Sequence, residues 1–163
     1  HVYAVDVGTG QLAAALRQDE RVSNLEQTDI RLLTPERLPE VPDFAACDVS
    51  FISLRIVLPV IKTFLKENAG QVLCLIKPQF EAGRENVGKK GVVRELSTHI
   101  EVLENFVKNA NEAGFGVRGI TFSPIKGPEG NIEYLGHLIA GGENGEIDPE
   151  ATAKQSHEEL GDK

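Results

Sequence analysis

The strongest hydrophobic pattern in the chain is the run at residues 72–76, which is apolar at every position. A run without alternation is typical of a strand that is buried on both faces, as in a parallel sheet. The run ends at Lys77-Pro78, because proline cannot donate to a sheet ladder and favours extended geometry in the residue before it. Lys77 is therefore expected at the carboxyl edge of a central strand, where open α/β sheets bind their ligands. The alternative is an ordinary strand-end lysine that extends its charge into solvent.

Strands and helices are predicted to alternate along the rest of the chain. The predicted strands are 1–5, 22–25, 44–50, 72–76, 115–122 and 131–140, and the predicted helices are 11–18, 54–65, 98–113 and 149–160. The last two strands are too close in sequence for a crossover helix, so they should pair antiparallel. The pattern predicts an α/β fold, a doubly wound Rossmann-like sheet that ends in an antiparallel hairpin.

Composition is that of a globular domain, with 163 residues, 40% hydrophobic content and a net charge of −8. The negative charge argues against a uniformly basic nucleic-acid-binding protein, although a local basic face is compatible with it. No apolar run approaches the roughly 20 residues of a membrane helix. Cys47 and Cys74 lie in apolar runs without metal-ligand spacing, which favours buried, reduced thiols in a cytoplasmic protein. Residues 1–140 are expected to form the domain, and 141–163 a polar, acidic tail with a short helix.

Acidic residues occur at the ends of two predicted strands and shortly after a third. Asp6, followed closely by Gly8, suits the ribose hydroxyls of a nucleoside cofactor, although the same pattern also makes ordinary turns. Asp29 could accept a hydrogen bond from an adenine amino group or simply cap a turn. Asp48 lies near the end of an apolar run, where an unpaired carboxylate is costly, so it requires a partner. Lys77 is the natural one.

A long loop is predicted at residues 78–94, immediately after Lys77. Loops of this length inside a compact domain are usually functional lids or disordered segments. This one concentrates positive charge in an otherwise acidic chain, at Arg84, Lys89, Lys90 and Arg94. Its position favours a lid that contacts phosphate over a merely solvated charged loop.

Four stretches together resemble a known family. They are Asp-Val-Ser-Phe-Ile-Ser at 48–53, Ile-Lys-Pro-Gln-Phe-Glu-Ala-Gly at 76–83, Gly-Val-Val-Arg at 91–94 and Ser-Pro-Ile-Lys-Gly-Pro-Glu-Gly-Asn-Ile-Glu at 123–133. In this order they resemble the haemolysin A (TlyA) family, FtsJ-like ribosomal RNA methyltransferases that use S-adenosylmethionine. The resemblance runs from His1 to about Ala140. It implies a class I methyltransferase fold.

In that family a Lys-Asp-Lys-Glu tetrad carries out 2′-O-methylation of ribose. By motif position, the resemblance implies Asp48 as the aspartate, Lys77 as the second lysine and Glu133 as the glutamate. A lysine can take the proton of the hydroxyl or stabilise its developing charge. A base must be uncharged, whereas two neighbouring carboxylates favour the charged form of a lysine. Orientation of the hydroxyl by all three residues is therefore expected to be their main contribution.

The resemblance also implies a cofactor and partners. S-adenosylmethionine is the expected cofactor, with no metal required. The implied cofactor contacts are Asp6, Val7, Asp29, Ile30 and Asp48. The expected RNA contacts are Arg84, Lys89, Lys90, Arg94 and Lys126. Ribosomal RNA or ribosomal subunits are the expected partners. Binding to a membrane is not expected.

Several parts of the family pattern lie upstream of the segment that matches His1: the first strand, the glycine-rich cofactor loop, the first tetrad lysine and an S4-type RNA-binding domain. We therefore expect this chain to be a piece of a longer protein and to be inactive alone. A non-catalytic module that binds RNA or the ribosome is the main alternative. A third hypothesis is a membrane-damaging protein, but the sequence contains no membrane-spanning segment and no basic amphipathic helix to support it. A fourth is an NAD-dependent enzyme, which would use Asp6 but would leave Lys77 and Glu133 without a role.

Overall fold

The computed structural model describes residues 1–161, and the contacts within the chain define two compact units. The first unit is His1–Val41, and the second begins at Pro42. The helix predicted in the tail belongs to the second unit; the final two residues of the predicted tail lie outside the described part. No helix within residues 1–161 has the length and apolar character needed to cross a bilayer.

The first unit contains two parallel strands, β1 (Val2–Val5) and β2 (Val22–Leu25), with the short helix α1 (Ala14–Arg17) between them. Both predicted strands are confirmed, but the predicted helix 11–18 is reduced to one turn. The Glu26 carboxylate accepts hydrogen bonds from the backbone amides of Gly10 and Leu12, both at 2.8 Å. These bonds hold the backbone of residues 10–12, which come before α1, in a non-helical conformation.

The second unit contains a four-stranded sheet in the order β3-β4-β6-β5. Its strands are β3 (Phe44–Cys47), β4 (Gln71–Ile76), β5 (Phe115–Phe122) and β6 (Tyr134–Ala140). β3 and β4 are parallel, whereas β6 is antiparallel to both β4 and β5. The predicted mixed sheet with an antiparallel hairpin at its end is confirmed.

The helices of the second unit are α2 (Leu54–Phe64), α3 (Pro78–Glu81), α4 (Leu96–Glu112) and α5 (Pro149–Leu160). α2, α4 and α5 begin and end close to the predicted positions, whereas α3 lies in the segment predicted as a loop. Ser53 caps α2, accepting from the Arg55 amide at 3.1 Å, and α2 continues through Pro59. α4 begins two residues before Thr98, the predicted first residue of the helix, and Thr98 is buried inside it. Gly114, at φ +91°, follows α4 as expected of a helix stop.

β4 is buried on one face of the sheet. Val72, Cys74 and Ile76 are fully buried, whereas Leu73 is 40% exposed. The buried face lies against α4, where Gly136 leaves room for the Phe106 ring; a β-carbon on Gly136 would lie 2.6 Å from the ring. The expected burial of β4 on both faces is therefore not found. The face that carries Leu73 is less covered by described elements of this unit than the face that carries Val72, Cys74 and Ile76.

Candidate active site

A half-buried lysine that is paired with a carboxylate follows the end of β4. Lys77 Nζ lies 2.7 Å from Asp48 Oδ1 and donates to Ser50 Oγ at 3.2 Å. Because β3 and β4 are parallel, their carboxyl ends meet at the same sheet edge. The predicted partnership of Lys77 and Asp48 is confirmed. The expected burial of Asp48 is wrong, since β3 already ends at Cys47 and the Asp48 side chain is 70% exposed, against 14% for Lys77.

Glu133 reaches the same edge from the other side of β4. It directly precedes β6, rather than lying inside the strand as predicted. Because β6 is antiparallel to β4, with Ile76 opposite Tyr134, the amino end of β6 meets the carboxyl end of β4. The three candidate catalytic residues thus follow or precede three neighbouring strands at one edge.

The Glu133 carboxylate is buried and held by its neighbours. It is 8% exposed and accepts from Gln79 Nε2 at 2.9 Å. A β-carbon on Gly127 would lie 2.7 Å from Glu133 Oε1, so only glycine leaves space for the carboxylate. The other amide atom of Gln79, Oε1, is buried and has no hydrogen-bond partner among the described residues. Sequence reasoning missed Gln79, because its bond to Glu133 depends on how the short helix α3 turns after Pro78.

A third carboxylate, that of Glu81, joins the two segments that carry Asp48 and Lys77. Glu81 accepts from Ser53 Oγ at 2.6 Å and from the Leu54 amide at 2.8 Å. These bonds tie α3 to the start of α2. Burial raises the pKa of Glu81 above its ordinary value, and its hydrogen-bond donors oppose that shift. Nothing in the pattern of residue types predicted this contact.

An exposed aromatic residue stands beside the site. Phe51 is 90% exposed and adopts φ +62°, a backbone conformation that is strained for a bulky residue. Its only described ring partner is Phe80, with the ring centroids 4.9 Å apart. Phe51 follows Ser50, which bonds Lys77. The sequence alone gives no sign of this conformation.

The candidate RNA contacts lie in the predicted loop and in the connection before β6. The loop is more ordered than predicted, since it contains α3 and two short 3₁₀ turns, Arg84–Asn86 and Lys89–Gly91. Arg84, Lys89, Lys90 and Arg94 are all exposed, and Lys126 is half-buried. Arg94 and Lys126 line the same cleft.

The cofactor candidates other than Asp48 lie in the first unit. Asp6 follows β1, is exposed, and accepts from the Gly8 amide at 2.6 Å, which is the bond of an ordinary turn, the alternative to a ribose contact. Val7 is 74% exposed, and Ile30 begins a 3₁₀ turn. Asp29 is held by Arg31, whose guanidinium and amide lower the pKa of Asp29 to about 2. An adenine amino group would have to share this carboxylate with Arg31.

The profile of the family described as FtsJ-like methyltransferase matches residues 1–139. The chain is 51% identical over 145 residues to the Bacillus subtilis protein named "Putative rRNA methyltransferase YqxC", covering 88% of the chain and 51% of that relative. It is 43% identical over 135 residues to "16S/23S rRNA (cytidine-2′-O)-methyltransferase TlyA" of Mycobacterium tuberculosis, covering 83% of the chain and 50% of that relative. A solved structure titled "Putative hemolysin from Streptococcus thermophilus" matches with a TM-score of 0.91 at 46% identity, over 96% of the chain and 58% of that structure. The chain thus spans about half the length of these curated relatives, and it belongs to the FtsJ-like methyltransferase family.

Proposed function

We propose that this chain is part of an S-adenosylmethionine-dependent enzyme that methylates the 2′-hydroxyl of a ribose in ribosomal RNA. The observation that carries the proposal is the 2.7 Å contact between Lys77 Nζ and Asp48 Oδ1, at the edge where Glu133 also lies. The relative from M. tuberculosis, whose name describes this reaction, supports the same chemistry. Cytoplasmic location follows from the proposed substrate.

The chemistry requires a hydroxyl oxygen that is oriented and electron-rich. Lys77, as an ammonium, stabilises the negative charge that develops on the ribose oxygen, and in its uncharged form it accepts the hydroxyl proton. Asp48 holds the Lys77 amine, and Gln79 holds the Glu133 carboxylate, so each polar group is oriented before the substrate arrives. S-adenosylmethionine supplies the methyl group.

The remaining candidates bind rather than react. Asp6, with Val7, Asp29 and Ile30, contacts the nucleoside part of the cofactor, and Asp48 is a further cofactor contact. The RNA backbone is contacted by Arg84, Lys89, Lys90, Arg94 and Lys126. The exposed Phe51 offers a ring on which an unstacked RNA base packs, the usual way in which proteins hold single-stranded RNA.

The test compares this chain with a completed form, defined as this chain joined to the upstream segment of the B. subtilis relative. Transfer of a labelled methyl group to ribosomal RNA is measured for the completed form and for its Lys77→Ala variant. We expect the variant to lose at least about 100-fold in turnover, the usual contribution of a proton-transfer group. Its affinity for S-adenosylhomocysteine should stay unchanged, because Lys77 acts on the RNA.

Lys66→Ala is the matched control, since Lys66 is an exposed lysine of the same unit and takes no part in the site. It should leave both turnover and cofactor affinity intact. Undiminished turnover in Lys77→Ala would exclude the catalytic role of Lys77. Methyl transfer to the base instead of the ribose 2′-oxygen, located by mass spectrometry, would exclude the proposed reaction.

A further inference from the structure

Two short segments carry two of the three candidate catalytic residues. Residues 48–53, the aspartate segment, join β3 to α2 without regular secondary structure. Residues 77–81, the lysine segment, consist of Lys77 and the single turn of α3. The segments meet at the pair of Lys77 with Asp48, whose side chain is largely exposed. An exposed side chain on an irregular connection has many positions available, so the geometry of the pair depends on what else holds the aspartate segment.

The far end of the aspartate segment is held by Glu81. The Glu81 carboxylate accepts from Ser53 Oγ at 2.6 Å and from the amide of Leu54, the first residue of α2, at 2.8 Å. The Ser53 hydroxyl in turn accepts from the Arg55 amide at 3.1 Å. A carboxylate beside the first amides of an 11-residue helix is also favoured by the helix dipole. Glu81 therefore fixes the point at which the segment enters α2.

Between these two ends, the segments are joined by a pair of aromatic rings. The centroids of Phe51 and Phe80 lie 4.9 Å apart, and the ring planes are inclined at 52°. Ser50, next to Phe51, accepts from Lys77 Nζ at 3.2 Å. The contacts follow the same order along both segments, from the ion pair through the rings to the carboxylate of Glu81. The two segments therefore run side by side and are fixed at both ends.

The single turn of α3 sets the spacing of the two fixed ends. Pro78 begins the turn with a φ that its ring restricts, and Glu81 ends it. The Phe80 amide donates to the Lys77 carbonyl, and the Ala82 amide donates to the Pro78 carbonyl, both at 2.9 Å. Because these bonds close the turn, the backbones of Lys77 and Glu81 keep a defined separation. A displacement at Glu81 would consequently be transmitted to the pair at the other end.

Glu81 also belongs to the same cluster of charges as that pair. The pKa of Cys47, the last residue of β3, is raised to about 11, chiefly by burial. The negative charges of Asp48 and Glu81 act in the same direction, and the charge of Lys77 opposes them. One thiol thus lies within the electrostatic reach of all three groups. Glu81 is therefore close to the pair, although its hydrogen-bond donors lie at the start of α2.

We propose that Glu81 is a positioning residue for methyl transfer: by holding the end of the aspartate segment, it sets where Asp48 lies against the Lys77 amine. The inference rests on the proposed function for the identity of the reaction. Glu81 acts through geometry, so a neutral side chain of the same shape should replace it. In Glu81→Gln, the amide oxygen accepts from the Leu54 amide and the amide nitrogen donates to the Ser53 hydroxyl, so both bonds are kept.

The test is kcat for methyl transfer to ribosomal RNA by the completed form, at saturating RNA and S-adenosylmethionine. The value is expressed per folded molecule, with the folded fraction measured by circular dichroism, so that a loss of stability alone does not lower it. We expect Glu81→Ala to lower kcat by about 10- to 100-fold, the effect of a displacement of about 1 Å at the reacting groups. Glu81→Gln should keep most of the original kcat.

Asp148→Ala is the matched control. Asp148 is another carboxylate of the second unit that accepts from an amide at the start of a helix, that of Ala151 in α5, at 2.9 Å. Its removal takes away a helix-capping carboxylate without touching either segment, so kcat should stay intact. An equal loss of kcat in the control and in Glu81→Ala would reduce the effect to general loosening and overturn the positioning role.

A second comparison uses the bond partner of Glu81. Ser53→Ala removes one of the two donors to the carboxylate, so it should lower kcat less than Glu81→Ala does. Because the two side chains act through one contact, the double variant should lose no more than Glu81→Ala alone. Losses that multiply would mean that Ser53 and Glu81 act independently, and they would overturn the proposal.

The ring pair gives a readout that does not depend on turnover. Proton–proton contacts between the rings of Phe51 and Phe80 are measured by NMR in the completed form. These contacts should disappear in Glu81→Ala, because the aspartate segment is released from the lysine segment, and they should persist in Glu81→Gln. Ring contacts that persist in Glu81→Ala would overturn the proposal, since the segment would then be held without the carboxylate.

The outcomes separate the two proposals. An unchanged kcat in Glu81→Ala overturns the positioning role and leaves the proposed function standing. A loss of kcat in Glu81→Gln equal to that in Glu81→Ala would assign the effect to charge and would likewise overturn the geometric role. Loss of the ring contacts in Glu81→Ala, without methyl transfer by any completed form, supports the positioning of the segment and overturns the proposed reaction.

Discussion

At the scale of single residues, Phe51 combines two unfavourable features. Its φ of +62° is a conformation that costs about 1–3 kcal/mol in a bulky residue. Its ring remains 90% exposed, so burial recovers little of that cost. Strain of this kind concentrates at functional sites. Its position directly after Ser50, which bonds Lys77, makes the stacking role proposed for it consistent with the geometry.

The substitution Phe51→Asn tests that role. Asparagine tolerates positive φ, so the free energy of unfolding should stay within about 1 kcal/mol of the original or rise. Affinity for single-stranded RNA should fall by about 1–3 kcal/mol, the usual value of one base–aromatic stack. Phe44→Asn, which removes another exposed ring of the second unit, should leave RNA affinity nearly unchanged. An RNA affinity equal to that of the original chain would exclude the stacking role of Phe51 and leave only its packing against Phe80.

Residue types predicted some site contacts and not others. Asp48 and Lys77 were predictable as partners, because each follows an apolar run and parallel strands bring such ends together. Gln79 and Glu81 were not, since their bonds depend on how the short helix α3 turns after Pro78. Residue identity alone does not determine that direction.

At the scale of elements, a buried polar network joins α4, β6 and α5. His99 Nδ1 lies 2.8 Å from the Tyr134 hydroxyl, which lies 2.9 Å from Ser156 Oγ. Burial lowers the pKa of His99 to about 4 and raises the pKa of Tyr134 to about 12. Both residues are therefore uncharged in the folded state at neutral pH, and the network works through neutral hydrogen bonds.

This network predicts a loss of stability in mild acid. Between about pH 6.5 and pH 4, unfolded His99 takes up a proton that folded His99 does not, so the folded state loses stability as the pH falls. The full loss amounts to roughly 3 kcal/mol, on the basis of about 1.4 kcal/mol for each pKa unit. Burial of Glu81 acts in the opposite direction, because its raised pKa favours proton uptake by the folded state.

Urea unfolding between pH 4 and pH 8 measures the effect. His99→Gln should lower stability at pH 8 and flatten the decline below pH 6.5. His137→Gln, which alters a surface histidine bonded to Gln71, should keep the original slope. An equally steep decline in the His99 variant would assign the pH dependence to other groups.

Sequence patterns located elements more reliably than element ends. Strand β5 and helix α5 were predicted with the bounds that the structure shows. The start of α4 was misplaced because Thr98 satisfies a capping pattern, whereas the structure buries it inside the helix. The helix begins at Leu96, after Glu95, whose side chain makes no capping hydrogen bond within the described residues.

At the scale of the whole molecule, alternation of strands and helices was enough to predict the α/β class and the final hairpin. It did not predict the division after Val41. That division depends on which strands pair with each other through hydrogen bonds. The pattern of residues predicts which face of a strand is buried, but it does not predict which strand lies beside it. The resemblance places the glycine-rich cofactor loop upstream of the segment that matches His1, which has a direct consequence for cofactor binding.

We expect the completed form to bind S-adenosylhomocysteine at least about ten-fold more tightly than this chain alone, a difference of about 1.4 kcal/mol. Calorimetric titration of both forms measures it. Asp6→Ala in the completed form should weaken the binding of S-adenosylhomocysteine, because the ribose hydroxyls lose the carboxylate that accepts their hydrogen bonds. Arg21→Ala, which disrupts an exposed ion pair with Asp19 in the same unit, should not. Equal affinity in the chain and the completed form would exclude an upstream contribution.

The neighbouring thiols of β3 and β4 have a practical consequence. Cys47 and Cys74 are register partners, both are buried, and the sequence contains no other cysteine. Burial raises the pKa of Cys47 to about 11 and raises that of Cys74 further, so neither forms the reactive thiolate at neutral pH. A cysteine introduced at an exposed position such as Lys108 would therefore take up a fluorescent probe alone. The surroundings of that position then become measurable by fluorescence without removing either native thiol.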